Sequence, residues 1–180
     1  METQIRIRDA APQDIAKMLE IYAYYVRDTA ITFEYEVPSQ EEFTDRFLHT
    51  TAHFPYLAAV TVENGREKVI GYAYAGRFHP RKAYERCAEM TVYIDRDARG
   101  SGAGRLLYEA LEERLKGLGF LNLYACIGVP DEDDEYLTHN SEQFHEHMGY
   151  RLVGTFRLCG YKFGRWYNMI WMEKLIGEHR

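Results

Sequence analysis

The chain has 180 residues, 46% of them hydrophobic and 28% charged, the size and balance of one folded globular domain rather than of a disordered or low-complexity segment. Lys and Arg total 22 against 28 Asp and Glu, a formal charge of -6, so the surface as a whole should repel nucleic acid and any anion site must be built locally. Met1 to Asp9 is charged and alternating, and nothing approaches the roughly 18 continuous apolar residues of a membrane span, which predicts a cytoplasmic protein with no membrane partner.

In chain order, Ile5 to Arg8 alternates as a strand, and Pro12 opens a helix on which Ile15, Met18, Leu19, Tyr22 and Val26 recur at helical spacing. Ser39 with Glu42 reads as the capping box of a second helix whose stripe is Phe43, Phe47 and Leu48. Tyr56 to Val62 and Val69 to Gly76 form an expected hairpin turned at Asn64-Gly65, and Cys87 to Ile94 is a further strand after a loop containing Pro80. The glycines from Gly100 to Gly104 precede a helical period at Leu106, Leu107, Ala110, Leu111, Arg114 and Leu115, closed by Gly117 and Gly119. Leu121 to Ile127 is a short buried strand, Ser141 to Met148 a short helix stopped by Gly149, and Arg151 to Tyr161 with Trp166 to Leu175 a terminal strand pair turned by Phe163-Gly164-Arg165. The order is mixed α/β, with antiparallel strands at both ends and no repeats. Cys87, Cys126 and Cys159 stand far apart without a C-x-x-C pair, so they are expected reduced and mostly buried, with no zinc site.

The segment from Arg99 through Gly100, Ser101, Gly102, Ala103 and Gly104 to Arg105 lies between a strand and a helix. Helix-start amides and glycines there suit phosphate oxygens, and Arg99 and Arg105 add charge. A P-loop would close in Gly-Lys-Ser/Thr, and a dinucleotide loop would read G-x-G-x-x-G; neither pattern is present. What is present, Arg-x-x-Gly-x-Gly from Arg99 to Gly104, resembles the diphosphate loop of the GNAT superfamily of acetyl-CoA-dependent N-acyltransferases.

The resemblance covers nearly the whole chain and is closest to the phosphinothricin acetyltransferase branch. Ile21-Tyr22, Tyr24-Tyr25-Val26, Phe33-Glu34, Ala73 to Gly76, Arg81, Ala83-Tyr84, Glu89, Thr91 to Tyr93, His145-Glu146, Gly149-Tyr150, Gly160 to Lys162, Gly164 and Trp166 are the same or similar there. It implies the GNAT fold, a mixed, mostly antiparallel central sheet flanked by helices with its two middle strands splayed, and acetyl-CoA as co-substrate. It further implies direct acetyl transfer to the primary amine of a small amino-acid-like acceptor such as phosphinothricin or methionine sulfoximine, and a homodimer.

An amine must lose a proton to attack a thioester, and Glu89 is the implied base, directly or through water. Backbone around Val92, Tyr93 and Ile94 is the implied donor to the carbonyl oxygen, while the side chains of Val92 and Ile94 read as core. His145 occupies the position where many GNAT proteins carry a tyrosine, with its role as acid, base or substrate contact open. Asn140 and Ser141 read as helix caps, and the resemblance adds a hydrogen bond from Asn140 to the pantetheine arm. Arg81 and Tyr84 match the loop that handles the acceptor carboxylate, and Phe33 an apolar wall.

The chain departs from the branch between Pro130 and Ser141, where extra residues begin with Asp131 to Glu135. Such runs are usually solvated loop, and Tyr136 in place of a glycine argues against a calcium loop. Bordering an acceptor pocket, this run would disfavour multiply anionic acceptors. The other readings are a non-catalytic acyl-CoA-binding module, against which Glu89, His145 and Arg81 together argue for catalysis, and acetylation of peptide or protein N-termini, which stays open.

Overall fold

The computed structural model describes residues 4–63 and 65–180, which divide into two compact units. The first holds the chain through Tyr22, Pro38–Gly76 and Met90–Gly119; the second holds Ala23–Val37, Arg77–Glu89 and Phe120–Arg180.

In the first unit β1 (Arg6–Asp9), β2 (Tyr56–Glu63) and β3 (Arg66–Arg77) form an antiparallel meander, with β3 followed in sheet order by β4 (Cys87–Ile94). Gly65 turns the hairpin at φ 75°, while the Asn64 half of the expected turn lies outside the described residues. β2 is buried without interruption from Tyr56 to Thr61, the pattern of a strand covered on both faces. Helix α1 (Ile15–Asp28) buries Ile15, Met18, Tyr22 and Val26 as its spacing requires. Asp14 just before it takes a two-pronged ion pair from Arg8 at 2.7 and 2.9 Å and the Ala11 amide at 2.8 Å, which together hold its carboxyl below the ordinary value although burial opposes them.

The cap of α2 (Gln40–Thr51) forms as expected, Ser39 Oγ accepting from the Glu42 amide at 3.1 Å. The Glu42 carboxylate, however, does not return to Ser39 and instead pairs with Arg46 one turn on. Phe43 and Phe47 are buried, but Leu48 is 52% exposed, because the stripe that reaches the Tyr56 and Tyr72 rings is only two residues deep. Helix α3 (Ala103–Gly117) lies against β1 and β2 through Leu107, Leu111 and Leu115, all fully buried.

The second unit is built on the order β4, β5 (Asn122–Val129), β7 (Arg165–Leu175), β6 (Arg151–Lys162), with α4 (Asn140–His147) packed on β5. β4 and β5 run parallel from Cys87↔Asn122 to Glu89↔Tyr124, where their ladder stops; β5 with β7 and β7 with β6 are antiparallel. The β6–β7 turn is the residue pair Phe163-Gly164, both at positive φ (53° and 74°), the backbone hand that suits the twist of a tight hairpin. β6 bulges between Phe156 and Gly160: Leu158 sits at φ 48°, and its amide is caught by Asn168 Oδ1 at 2.8 Å.

Two expectations are corrected here. Cys126 and Cys159 are exposed and Cys87 half-buried, because on β5 it is Leu123, Ala125 and Ile127 that face the core while Cys126 alternates to the other side. The acidic run is exposed at Asp131, Glu132, Asp133 and Glu135, as a solvated loop would be, but it is fastened as a strap rather than free. Asp131 accepts from Asn168 at 2.7 Å; Asp134 accepts from the Tyr136 and Leu137 amides, from the Tyr167 hydroxyl at 2.9 Å and from Arg165 at 3.0 Å. Glu135 also meets Arg165, Tyr136 stacks on Phe163 at 4.2 Å, and Leu137 is 2% exposed against Ala30 and Tyr167.

Candidate active site

In the first unit the glycine segment is shaped by its backbone. A short 3₁₀ turn (Arg96–Ala98) follows β4, then Gly100 (φ 77°) and Gly102 (φ 86°) take the left-handed conformation that only glycine adopts without strain, and α3 begins at Ala103. Gly102 is the N-cap and has no side chain to offer, so no side-chain cap satisfies the first-turn amides of α3. A Cβ on Gly100 or Gly102 would meet nothing within 4 Å and both residues are exposed, so the surface beside them is open. Ser101 Oγ makes only a long contact with the Ala103 amide, 3.4 Å, and Arg105 a long pair with Glu109, 3.9 Å. An uncapped helix start with open space and flanking Arg99 and Arg105 fits a diphosphate.

Upstream in the same unit, the Tyr93 ring packs on Tyr22 (5.0 Å) and Tyr72 (5.6 Å). Ile94 lies so close over Gly71 that a Cβ there would come to 2.6 Å from Ile94 Cδ1. These two side chains are spent on packing, and what β4 can offer chemically at Val92, Tyr93 and Ile94 is backbone.

In the second unit Glu89 closes the β4–β5 ladder, with Ala88 and Met90 buried on either side of it in sequence, so its carboxyl lies on the opposite, half-open face. Among the described residues its carboxyl has no hydrogen bond or ion pair, and burial raises it above the ordinary glutamate value, the direction that makes a carboxylate a better proton acceptor. Burial, reinforced by the charge of Glu89, pushes the Cys126 thiol up to about 11, so Cys126 is solvent-accessible but protonated and a poor nucleophile. Phe78 stacks on Tyr124 at 4.1 Å and meets Trp171 edge-on at 5.5 Å and Tyr84 at 6.1 Å, giving an aromatic lining.

His145 is 3% exposed on α4, its ring set edge-on to Phe144 and Tyr150. Nδ1 donates to the Ser141 carbonyl at 2.6 Å, which leaves the lone pair on Nε2, and burial holds the imidazole down to about 4. A neutral imidazole cannot serve as the proton donor at pH 7, so the acid role left open by the sequence is disfavoured and an accepting role remains. The expected caps also shift by a residue: α4 starts at Asn140 with His139 as its N-cap, Thr138 Oγ1 accepts from the Asn140 amide at 3.3 Å, and the Asn140 side chain is exposed.

Arg81 caps a single 3₁₀ turn, Lys82–Tyr84, and is exposed with no ion pair to any described residue; Tyr84 packs on His79 at 5.1 Å. Phe33 lies over β5 and β6, stacked with Tyr167 at 6.4 Å. Sequence reasoning missed the Phe78, Tyr124 and Trp171 lining, assembled from three segments, and missed the use made of Asp131 and Asp134. The only signal for the lining was the alternation of β5, which puts Tyr124, Cys126 and Gly128 on one side.

In one unit a carboxyl raised by burial stands on the sheet, and in the other a strand leads into a glycine-bent, arginine-flanked helix start; each is a part that a group transferase with a diphosphate-bearing donor uses. The acetyltransferase (GNAT) domain model matches residues 7–171. The chain is 32% identical to phosphinothricin N-acetyltransferase of Streptomyces coelicolor over 95% of this chain and 96% of that one. It is 30% identical to the L-methionine sulfoximine/L-methionine sulfone acetyltransferase of Pseudomonas aeruginosa, covering 93% and 92%. A crystal structure of a phosphinothricin acetyltransferase from Sinorhizobium meliloti in complex with acetyl-CoA superposes with a TM-score of 0.86 at 34% identity, over 98% of this chain and 90% of that chain. The chain belongs to the GNAT acetyltransferase family, close to the phosphinothricin acetyltransferase branch. It is an acetyl-CoA-dependent transferase.

Proposed function

We propose that the chain transfers acetyl from acetyl-CoA to the primary amine of a small amino-acid-like acceptor by direct attack in a ternary complex. The observation that carries this reading is Glu89, an unpaired carboxyl raised by burial on an open, aromatic-lined sheet face. There it accepts the proton that the ammonium must lose. Amides between Arg99 and Arg105 hold the diphosphate, Asn140 meets the pantetheine arm, and backbone N–H from the Val92 to Ile94 stretch donates to the thioester oxygen as charge builds there. Acetyl-CoA supplies the activated acyl group. His145, neutral with its lone pair on Nε2, is a hydrogen-bond acceptor for the amine or an ordering water. Cys126, protonated, is a bystander.

Arg81 is the clamp for the acceptor carboxylate, with Tyr84 and Phe33 as walls. The aromatic lining favours an acceptor with one carboxylate and a compact, weakly charged side chain, of the methionine sulfone or sulfoximine kind, over one with a further strong anion. The family match across residues 7–171 supports one catalytic domain. A homodimer is supported by the edge strand β6, which leaves Leu152, Val153, Phe156, Leu158 and Tyr161 about half exposed. The free thiols and acidic balance support a cytoplasmic location without nucleic-acid partners. The test is a panel of amino acids and analogues, including phosphinothricin and methionine sulfoximine, read by free CoA and by the mass of the acetylated amine. Acetylation of mono-carboxylate amino acids is expected, and a panel without any acetylated amine overturns the reading.

A further inference from the structure

Gly160 and Lys162 are neighbours on one face of β6, both buried, with the exposed Tyr161 between them. The ring of Phe33 lies on Gly160 so closely that a Cβ there would come within 2.4 Å of Cε2 and Cζ, and a Cβ on Gly128 of β5 within 3.3 Å of Cζ. Two residues further on, the Lys162 amine leaves solvent and donates to two main-chain carbonyls of the segment leading to Phe33, Thr29 O at 2.8 Å and Thr32 O at 2.7 Å. The same segment is tied at Ala30, whose amide donates to the Tyr136 carbonyl at 3.0 Å, and at Tyr35, whose hydroxyl donates to the Tyr161 carbonyl. Burial holds the Lys162 amine down to about 8 even though the nearby charge of Glu34 favours its ammonium form, so placing it here is costly, and a protein keeps such a lysine where its hydrogen bonds are used.

We infer that Lys162 and Gly160 form a two-point seat that fixes the Phe33 ring as a wall of the acceptor site, making Lys162 a positioning residue for acceptor selection. The inference rests on the proposed role of Phe33. Lys162 sets the height of the segment by holding the carbonyl of the residue before Phe33, and the bare backbone of Gly160 sets the depth to which the ring sinks. The acceptor side chain then meets a fixed aromatic face, and a looser loop weakens acceptor binding without touching the acetyl-CoA loop.

The test uses the full chain with the best amine from the panel and measures the KM of each substrate separately. Lys162→Met is expected to raise the acceptor KM about tenfold while the KM for acetyl-CoA stays within about twofold, and Lys162→Arg, which can still reach both carbonyls, to stay within about threefold of the parent. Gly160→Ala, which pushes the ring with the lysine intact, is expected to reproduce the acceptor defect and serves if Lys162→Met does not fold. In a Phe33→Ala background Lys162→Met should add no more than about twofold, since the wall it positions is gone. An unchanged acceptor KM, or full additivity in the double variant, overturns the seat. If no amine is acetylated by the parent enzyme, the functional reading fails instead, and the seat is read by hydrogen exchange. Amides of residues 30–35 should then exchange about tenfold faster in Lys162→Met, and equal rates overturn it.

Discussion

Gly102 is the N-cap of α3 at φ 86°, and replacing it with alanine tests how the diphosphate is held. The added Cβ would meet nothing within 4 Å, so no clash follows and the penalty is conformational alone, about 1–2 kcal/mol for a non-glycine residue in the left-handed region. Where that penalty falls depends on what else pins the loop. The Gly102 carbonyl is held by the Leu106 amide at 3.1 Å, but on its N-terminal side the loop is tied by a 3.3 Å amide bond from Ser101 to Ala98 and a 3.4 Å contact to Ser101 Oγ, and Gly100, Ser101 and Gly102 are all exposed. The loop of Gly102→Ala is therefore free to relax in the empty protein, and the cost reappears when acetyl-CoA draws it back. Calorimetric titration should show acetyl-CoA bound about 5 to 30 times more weakly, with thermal stability little changed. Ser101→Ala, which loses only the long contact, should bind within about twofold of the parent. Parent-like affinity in a folded Gly102→Ala protein would refute the role given to this backbone.

Glu89→Gln should lower kcat at pH 7 by about 10²- to 10⁴-fold while leaving acetyl-CoA affinity within about twofold, measured by steady-state kinetics and calorimetry. Because burial raises Glu89, kcat/KM for the amine should fall as pH drops through a carboxyl value above 4.5, and that acid limb should vanish in Glu89→Gln; a limb that persists assigns it to another group. His145 stays neutral in the folded protein down to about pH 4 but protonates near 6.5 in the unfolded chain, so unfolding takes up a proton between these values. Stability should then decline by up to about 3 kcal/mol as pH falls from 6.5 to 4, and urea melts of His145→Gln should show a shallower decline over that window. Asp134→Ala strips acceptors from two amides, Tyr167 and Arg165, and should cost about 2–4 kcal/mol in urea unfolding, where a solvated loop acid would cost under about 0.5 kcal/mol.

The parts of this molecule that were legible in its sequence are those governed by local rules. Ser39 caps α2, Gly102 opens α3, the strand Cys87–Ile94 has the expected bounds, and Phe163-Gly164 turns the last hairpin. Sequence reasoning failed where a partner outside the motif itself decides. Glu42 turns to Arg46 because that cation is one helical turn away, and Cys126 is exposed because burial on β5 falls to Leu123, Ala125 and Ile127. Asp131 to Glu135 reads as a surface run until Asn168, Tyr167 and Arg165 of β7, some thirty residues on, are known to face it. The seat of Phe33 is of the same kind: its glycine, its lysine and its ring come from two segments more than a hundred residues apart.

The measurement that bears most directly on the whole account is a two-substrate initial-velocity study in which acetyl-CoA and the preferred amine are varied together and free CoA is followed. Direct transfer in one complex predicts intersecting reciprocal plots and no acetyl group on Cys126 by mass spectrometry of the enzyme. Parallel plots with an acetylated enzyme, or CoA release that ignores the amine, would contradict it.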